Sequence, residues 1–131
     1  MWIGFRRLAI ESVIDKRTFT RALDALGKKS LRVSIKSIFA FLHDDLQQIA
    51  ITDQLIDSIY YAKRIHRVCG SCTVFGATNL TTALQELEFC LSRNLLDHVP
   101  QMAQNAQTLA EMSEKEMYHQ MRGITHSVSV Y

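Results

Sequence analysis

The sequence predicts an all-α protein: an antiparallel up-down four-helix bundle with a short additional N-terminal helix. Three observations lead there. Apolar residues recur at spacings of three and four along most of the chain, the signature of helices with one apolar face. One proline and five glycines leave long stretches uninterrupted, and β-branched alternation is scarce. The links between the periodic segments are short, which favours antiparallel neighbours.

The elements follow in order. Residues 1–14 are a mixed lead-in, an extension or linker end, and the domain proper spans residues 15–122. Asp15 can cap a short helix carrying Phe19, Ala22, Leu23 and Leu26, which Gly27 stops. A longer helix carries Leu31, Ile35, Ile38, Phe39, Leu42, Leu46 and Ile49 on one stripe, with Asp44, Asp45, Gln47 and Gln48 on the wet side. Thr52 or Asp53 can cap the next, whose stripe is Leu55, Ile59, Ala62, Ile65, Val68, Cys72 and Phe75, with Gly76 as its stop. Thr78 or Asn79 can cap a helix bearing Leu80, Ala83, Leu84, Leu87 and Leu91.

Asp97 can cap the last helix, and Pro100 suits a first turn, where its missing N–H has no intrahelical partner. The stripe there is Val99, Met102, Ala106, Leu109, Ala110, Met117 and Met121, and the helix is expected to end near Arg122–Gly123. Residues 123–131 alternate like a strand without a partner and are expected to form a flexible tail. Burial of the stripes supplies the main stabilisation, at about 1.5–3 kcal/mol per large apolar side chain.

Bulk properties narrow the function classes. A chain of 131 residues fits one domain, and 47% hydrophobic with 21% charged residues suits a globular protein rather than a disordered one. A net charge of +2 without a dense Lys/Arg run does not point to nucleic acid. No apolar run approaches the roughly 20 residues of a membrane span. The opening "MWIGFRRLAI" is too short and too mixed for a signal peptide. Three cysteines, an odd number, exclude a complete disulfide framework and fit a reducing cytoplasm. Four self-covering helices make a monomer the simpler expectation.

The segment after Ile65 carries the chemistry. With Ile65, Val68, Cys72 and Phe75 inward, His66 falls to one side of the seam toward solvent, and Gly70 follows one turn later on the same side. A glycine inside a helix costs roughly 1 kcal/mol relative to alanine. Two explanations are open: Gly70 gives another molecule close access to the His66 imidazole, or it permits close helix packing.

These residues carry a resemblance. "HRVCGSCTVFGATNL" resembles the signature of the histidine-containing phosphotransfer domains of bacterial and fungal phosphorelays, through His66, Val68, Gly70, Ser71, Cys72, Phe75, Gly76, Ala77 and Leu80. "LQELE", Leu84 to Glu88, resembles the next-helix segment of that family, and the likeness covers residues 15–122. One position departs: where the family usually has Lys, three residues after the histidine, this chain has Cys69. That lysine is thought to help hold the phosphoryl group; Lys63, Arg64 or Arg67 can supply positive charge instead, although Arg67, adjacent to the histidine in sequence, is expected to splay in another direction.

The resemblance implies that His66 accepts a phosphoryl group from an aspartyl phosphate on a response-regulator receiver domain and passes it to another receiver. It implies that Glu88 accepts a hydrogen bond from His66 Nδ1–H, leaving Nε2 to attack. It also implies a docking surface around His66, with Ile59, Lys63, Arg67, Cys69, Gly70, Thr73 and Val74 as binding candidates. No cofactor is expected, because the receiver brings the Mg²⁺. The sequence shows neither an acidic cluster suited to Mg²⁺ nor a phosphate-binding glycine loop, so no ATP site or autokinase activity is expected. The implied partners are receiver domains and a hybrid sensor histidine kinase, with the chain free in the cytoplasm or part of the cytoplasmic portion of such a membrane-bound kinase.

Two rivals compete. One is a helical adaptor that binds receiver or kinase domains without transferring anything. The other is a metal or redox site at Cys69-Gly-Ser-Cys72, with His66 and Cys90 as further ligands. A mid-helix pair lacks the helix-start setting that activates redox thiols, and no second ligand pair is present, so no metal is expected. His43, His98, His119 and His126 have no comparable setting and are expected on the surface.

Overall fold

The periodic segments fold as helices in a computed structural model that describes residues 13–51 and 57–130, the side chains of 124–130 excepted. All its regular elements are helical: α1 Lys16–Leu26, α2 Lys28–Ile51, α3 Ser58–Val74, α4 Thr78–Ser92 and α5 Val99–Val130. Helix α3 packs most extensively on α4, and α2 on α5; α4 also packs on α5, and α2 more thinly on α3. Helix α1 lies against α2 and reaches α3. Among the described residues, no helix is long and apolar enough to cross a membrane.

The stripes form the core. Leu31, Ile35, Phe39, Leu42, Leu46 and Ile49 of α2 are buried, as are Leu80, Leu84, Leu87 and Leu91 of α4. In α5 the buried face is Val99, Ala103, Ala106, Ala110, Ser113, Met117 and Met121, so Ala103 and Ser113 join it while Met102 and Leu109 stay at its margin. Ser113 satisfies its hydroxyl by donating to the Leu109 carbonyl at 2.7 Å, which lets a polar residue sit there. Leu26 and Ile59, expected on inward stripes, are exposed. Each lies within a turn or so of a helix end.

The turns follow from their punctuation. Asp15 caps α1, accepting from the Arg17 amide at 3.1 Å and the Thr18 hydroxyl at 3.0 Å. Gly76 ends α3 with φ +79°, a left-handed conformation that glycine adopts without cost from a side chain. The Gly76 and Ala77 amides donate back to Thr73 and Cys72 carbonyls at 3.1 and 3.0 Å, closing a Schellman motif. The Asp15 amide donates to the Gly76 carbonyl at 2.7 Å, so the start of α1 is tied to this turn. Asn94, φ +56°, ends α4 the same way, with Asn94 and Leu95 amides bonding Leu91 and Cys90 carbonyls. The Ser58 hydroxyl donates to Asn94 Oδ1 at 3.4 Å, which sets the start of α3 beside the end of α4 and makes the pair antiparallel.

Several expectations are corrected. Helix α4 begins at Thr78 behind an Ala77 cap position that supplies no side-chain bond, and the Thr78 amide donates to the Gly76 carbonyl at 2.9 Å. Helix α5 opens at Val99, and the His98 carbonyl, one residue beyond Asp97, accepts its first bond from Met102 at 2.9 Å. It also runs to Val130, past the stop expected at Arg122–Gly123. A lone glycine costs about 1 kcal/mol against alanine and does not end a helix unless it turns left-handed. Gly123 does not take a positive φ. The expected caps Thr52 and Asp53, and Leu55, lie outside the described residues, as does all of the lead-in except Val13 and Ile14, which are buried.

Asp45 is the largest correction. Expected on the wet side of α2, it is buried, because Arg64 of α3 donates Nε to both its carboxylate oxygens, at 2.9 and 3.0 Å. Arg64 also donates Nη1 to the Tyr60 hydroxyl at 3.2 Å. Carboxylate contact raises the guanidinium pKa further. His43, expected on the surface, is half-buried and sits 3.5 Å from Glu114 of α5 through Nε2.

Candidate functional site

His66 stands on the outer flank of α3 with 76% of its side chain exposed. Ile65, Cys69 and Cys72 of α3 are buried, and position 66 falls to one side of that inward face, toward solvent. On α4 the buried Leu84, Leu87 and Leu91 face the core, and Glu88, just past Leu87, comes to the edge beside α3. The two side chains meet: His66 Nδ1 lies 2.9 Å from Glu88 Oε2. A carboxylate can only accept, so Nδ1 carries the proton and, in the neutral ring, the lone pair is left on Nε2. That pair is the one available to an incoming electrophile.

The groove that holds His66 and Glu88 is lined by Ile59, Ala62, Lys63, Arg67 and Ser92 as well. Lys63 stands one turn before the histidine and Arg67 one residue after it; both are exposed. Gly70, one turn after, is exposed, and a Cβ built there would meet nothing within 4 Å. Close helix packing therefore does not explain this glycine.

Other site candidates fall elsewhere. Cys69 is buried, and its thiol donates toward the Thr81 carbonyl at 3.7 Å, so it turns inward against α4 rather than into the groove. Thr73 bonds back to the Cys69 carbonyl at 2.9 Å and lines a separate hollow with Thr18, Gly76 and Thr81. Val74 is exposed, two turns beyond His66. The structure thus brings Lys63, His66, Arg67, Glu88 and Ile59 to one groove and leaves Thr73 and Val74 outside it. Ala62 and Ser92 line the groove although nothing in the sequence singled them out; the Ile65 stripe marks Ala62 only as core.

The cysteine pair is placed for packing. Burial, with a smaller contribution from Glu88, pushes the Cys69 thiol up, and burial beside Cys69 pushes Cys72 up to about 12. The thiolate is the form that attacks disulfides and binds metals, and these surroundings disfavour it. Among the described residues, no three His, Cys, Asp or Glu side chains come close enough together to hold a metal ion.

No protein-family model, no curated protein and no solved structure matches the chain.

Proposed function

We propose that this chain is a histidine-containing phosphotransfer domain, an antiparallel four-helix bundle with one short extra helix, that relays phosphoryl groups between receiver domains through His66. The observation that carries this reading is the exposed imidazole of His66, fixed through Nδ1 by Glu88 at 2.9 Å and followed one turn later by an unhindered glycine. It joins the motif from His66 to Leu80, which resembles the family's signature.

The chemistry is a displacement at phosphorus. The Nε2 lone pair attacks the aspartyl phosphate in line, an N–P bond forms, and the acyl P–O bond breaks with its electrons leaving on the aspartate carboxylate. No proton moves in that step. The ring becomes cationic with its Nδ1 proton in place, and the Glu88 carboxylate opposes the new charge. Transfer onward is the reverse at a second receiver. Phosphoryl transfer of this kind depends on positioning and charge neutralisation, and the receiver contributes the Mg²⁺. This chain then needs no nucleotide site. The partners are receiver domains and a hybrid sensor kinase, and the place of action is the cytoplasm or the cytoplasmic portion of that kinase. A single bundle acts as a monomer.

The experiment is transfer from a panel of phosphorylated receivers with Mg²⁺, comparing wild type with His66→Gln. Acid-labile, alkali-stable label on wild type alone is the expected result. The buried Cys69, standing where the family usually has lysine, favours a second reading, that of an adaptor. Binding to a receiver with no label transferred would establish that reading and overturn the relay.

A further inference from the structure

The relay reading leaves a charge unassigned. A phosphoryl group on Nε2 carries close to two negative charges at neutral pH. In the resembled family a lysine three residues after the histidine is thought to meet them, and here that position is an inward-turned cysteine. Some other cation has to do so, or none does.

The structure removes two candidates. Arg64 is committed to the buried Asp45 carboxylate through two contacts and to Tyr60 through a third. Arg93, near the end of α4, stacks its guanidinium over the Phe89 ring at 4.5 Å from the centroid. Lys63 and Arg67 remain. Both are exposed, both line the groove that holds His66, and among the described residues neither forms an ion pair.

Charge placement points the same way. Glu88 holds Nδ1 from the α4 side, and the two ring nitrogens face different directions, so Nε2 is turned away from that carboxylate. A dianion on Nε2 is repelled by Glu88 and drawn to positive charge on α3. Gly70 leaves the space around the next turn open for the donor's approach.

Resting on the relay reading, we infer that Lys63 and Arg67 together hold the phosphoryl oxygens on His66. The charge-neutralising role has moved from the turn after the histidine to its N-terminal side and its immediate neighbour. The site therefore takes a small phosphoryl donor as well as a receiver, since both cations belong to this chain.

Phosphoramidate is the probe, because it can donate to histidine without a protein partner. Nε2 attacks its phosphorus, the P–N bond breaks, and the amide nitrogen leaves as ammonia after protonation by solvent. Wild type, Lys63→Met/Arg67→Met, Lys63→Arg and Arg93→Met would be labelled side by side. The double variant should label slower by on the order of tenfold or more, the scale of losing charge stabilisation at a transferred group. Lys63→Arg should stay near wild type, and Arg93→Met should match it. The ³¹P titration of the labelled protein gives an independent readout: without the two cations, the phosphoryl group should take up its last proton at higher pH. Equal labelling and equal titration in wild type and double variant would overturn the inference while leaving the relay intact. Absence of label at His66 in wild type, from phosphoramidate and receivers alike, would overturn the relay itself.

Discussion

His66 and Gly70 stand one turn apart on the same flank of α3, and nothing lies within 4 Å of where a Cβ at position 70 would sit. The helix bears the cost of that glycine with no packing gain. Gly76, six residues on, is the opposite case: its φ is +79°, and a Cβ there would stand 2.7 Å from the Asp15 carbonyl oxygen.

The two glycines should respond to alanine with opposite signs. Gly70→Ala is expected to stabilise the fold by about 1 kcal/mol, the helix-propensity difference. It should also slow transfer from a receiver by crowding His66. Gly76→Ala is expected to cost about 2 kcal/mol or more, from left-handed strain plus the backbone clash. Urea midpoints of the three proteins decide it. A loss of stability in Gly70→Ala would mean that the space at position 70 is occupied.

Glu88 should act through the His66 tautomer. In Glu88→Ala, nitrogen NMR of the ring should show the Nδ1–H form losing its dominance, and phosphotransfer should fall by about ten- to a hundredfold. Glu88→Gln keeps an accepting oxygen and should retain most of the tautomer preference. An unchanged transfer rate in Glu88→Ala would reduce the 2.9 Å contact to a surface pair.

The Asp45–Arg64 pair should be asymmetric. The Asp45 side chain is 7% exposed and that of Arg64 33%. Arg64→Ala strands a buried carboxylate and should cost about 2–3 kcal/mol. Asp45→Ala leaves an arginine that can turn its head to water, so its cost should be smaller. Equal losses by urea unfolding would contradict this ordering.

Asp15 gives the fold an acid-sensitive contact. The Thr18 hydroxyl, followed by the amides of Thr18 and Arg17, holds its carboxyl below the ordinary 3.8. A pKa lowered by folding contributes stability that is present above the unfolded value and fades as pH falls through the folded one. Asp15→Ala should therefore be less stable than wild type at neutral pH, and the gap should close below pH 3.8. A gap that persists undiminished at pH 2 would assign the effect to something other than the carboxylate.

Local sequence pattern sets the helices and most of their inward faces. Leu31 through Ile49 and Leu80 through Leu91 read as stripes because a helix repeats every 3.6 residues, whatever it packs against. It also sets the stops at Gly27 and Gly76, where the chain takes positive φ, and the exposure of His66, which follows from an inward seam running through Ile65 and Cys72 on the same helix. Each of these depends on neighbours within a few residues. The pairing of His66 with Glu88 was anticipated only through a family likeness, since the spacing of 22 residues carries no periodic signal.

The remainder comes from how the helices dock on one another. Asp45 reads as a solvated residue until α3 brings Arg64 against it. Arg64 reads as a free cation near His66 until Asp45 takes it, which leaves Lys63 and Arg67 in the groove. Gly70 could serve access or packing until the space beside it is seen to be open. In each case the deciding neighbour lies on another helix or is absent altogether. Local pattern fixes which face of a helix turns inward; only the docking of two helices fixes which charges meet and which stay free.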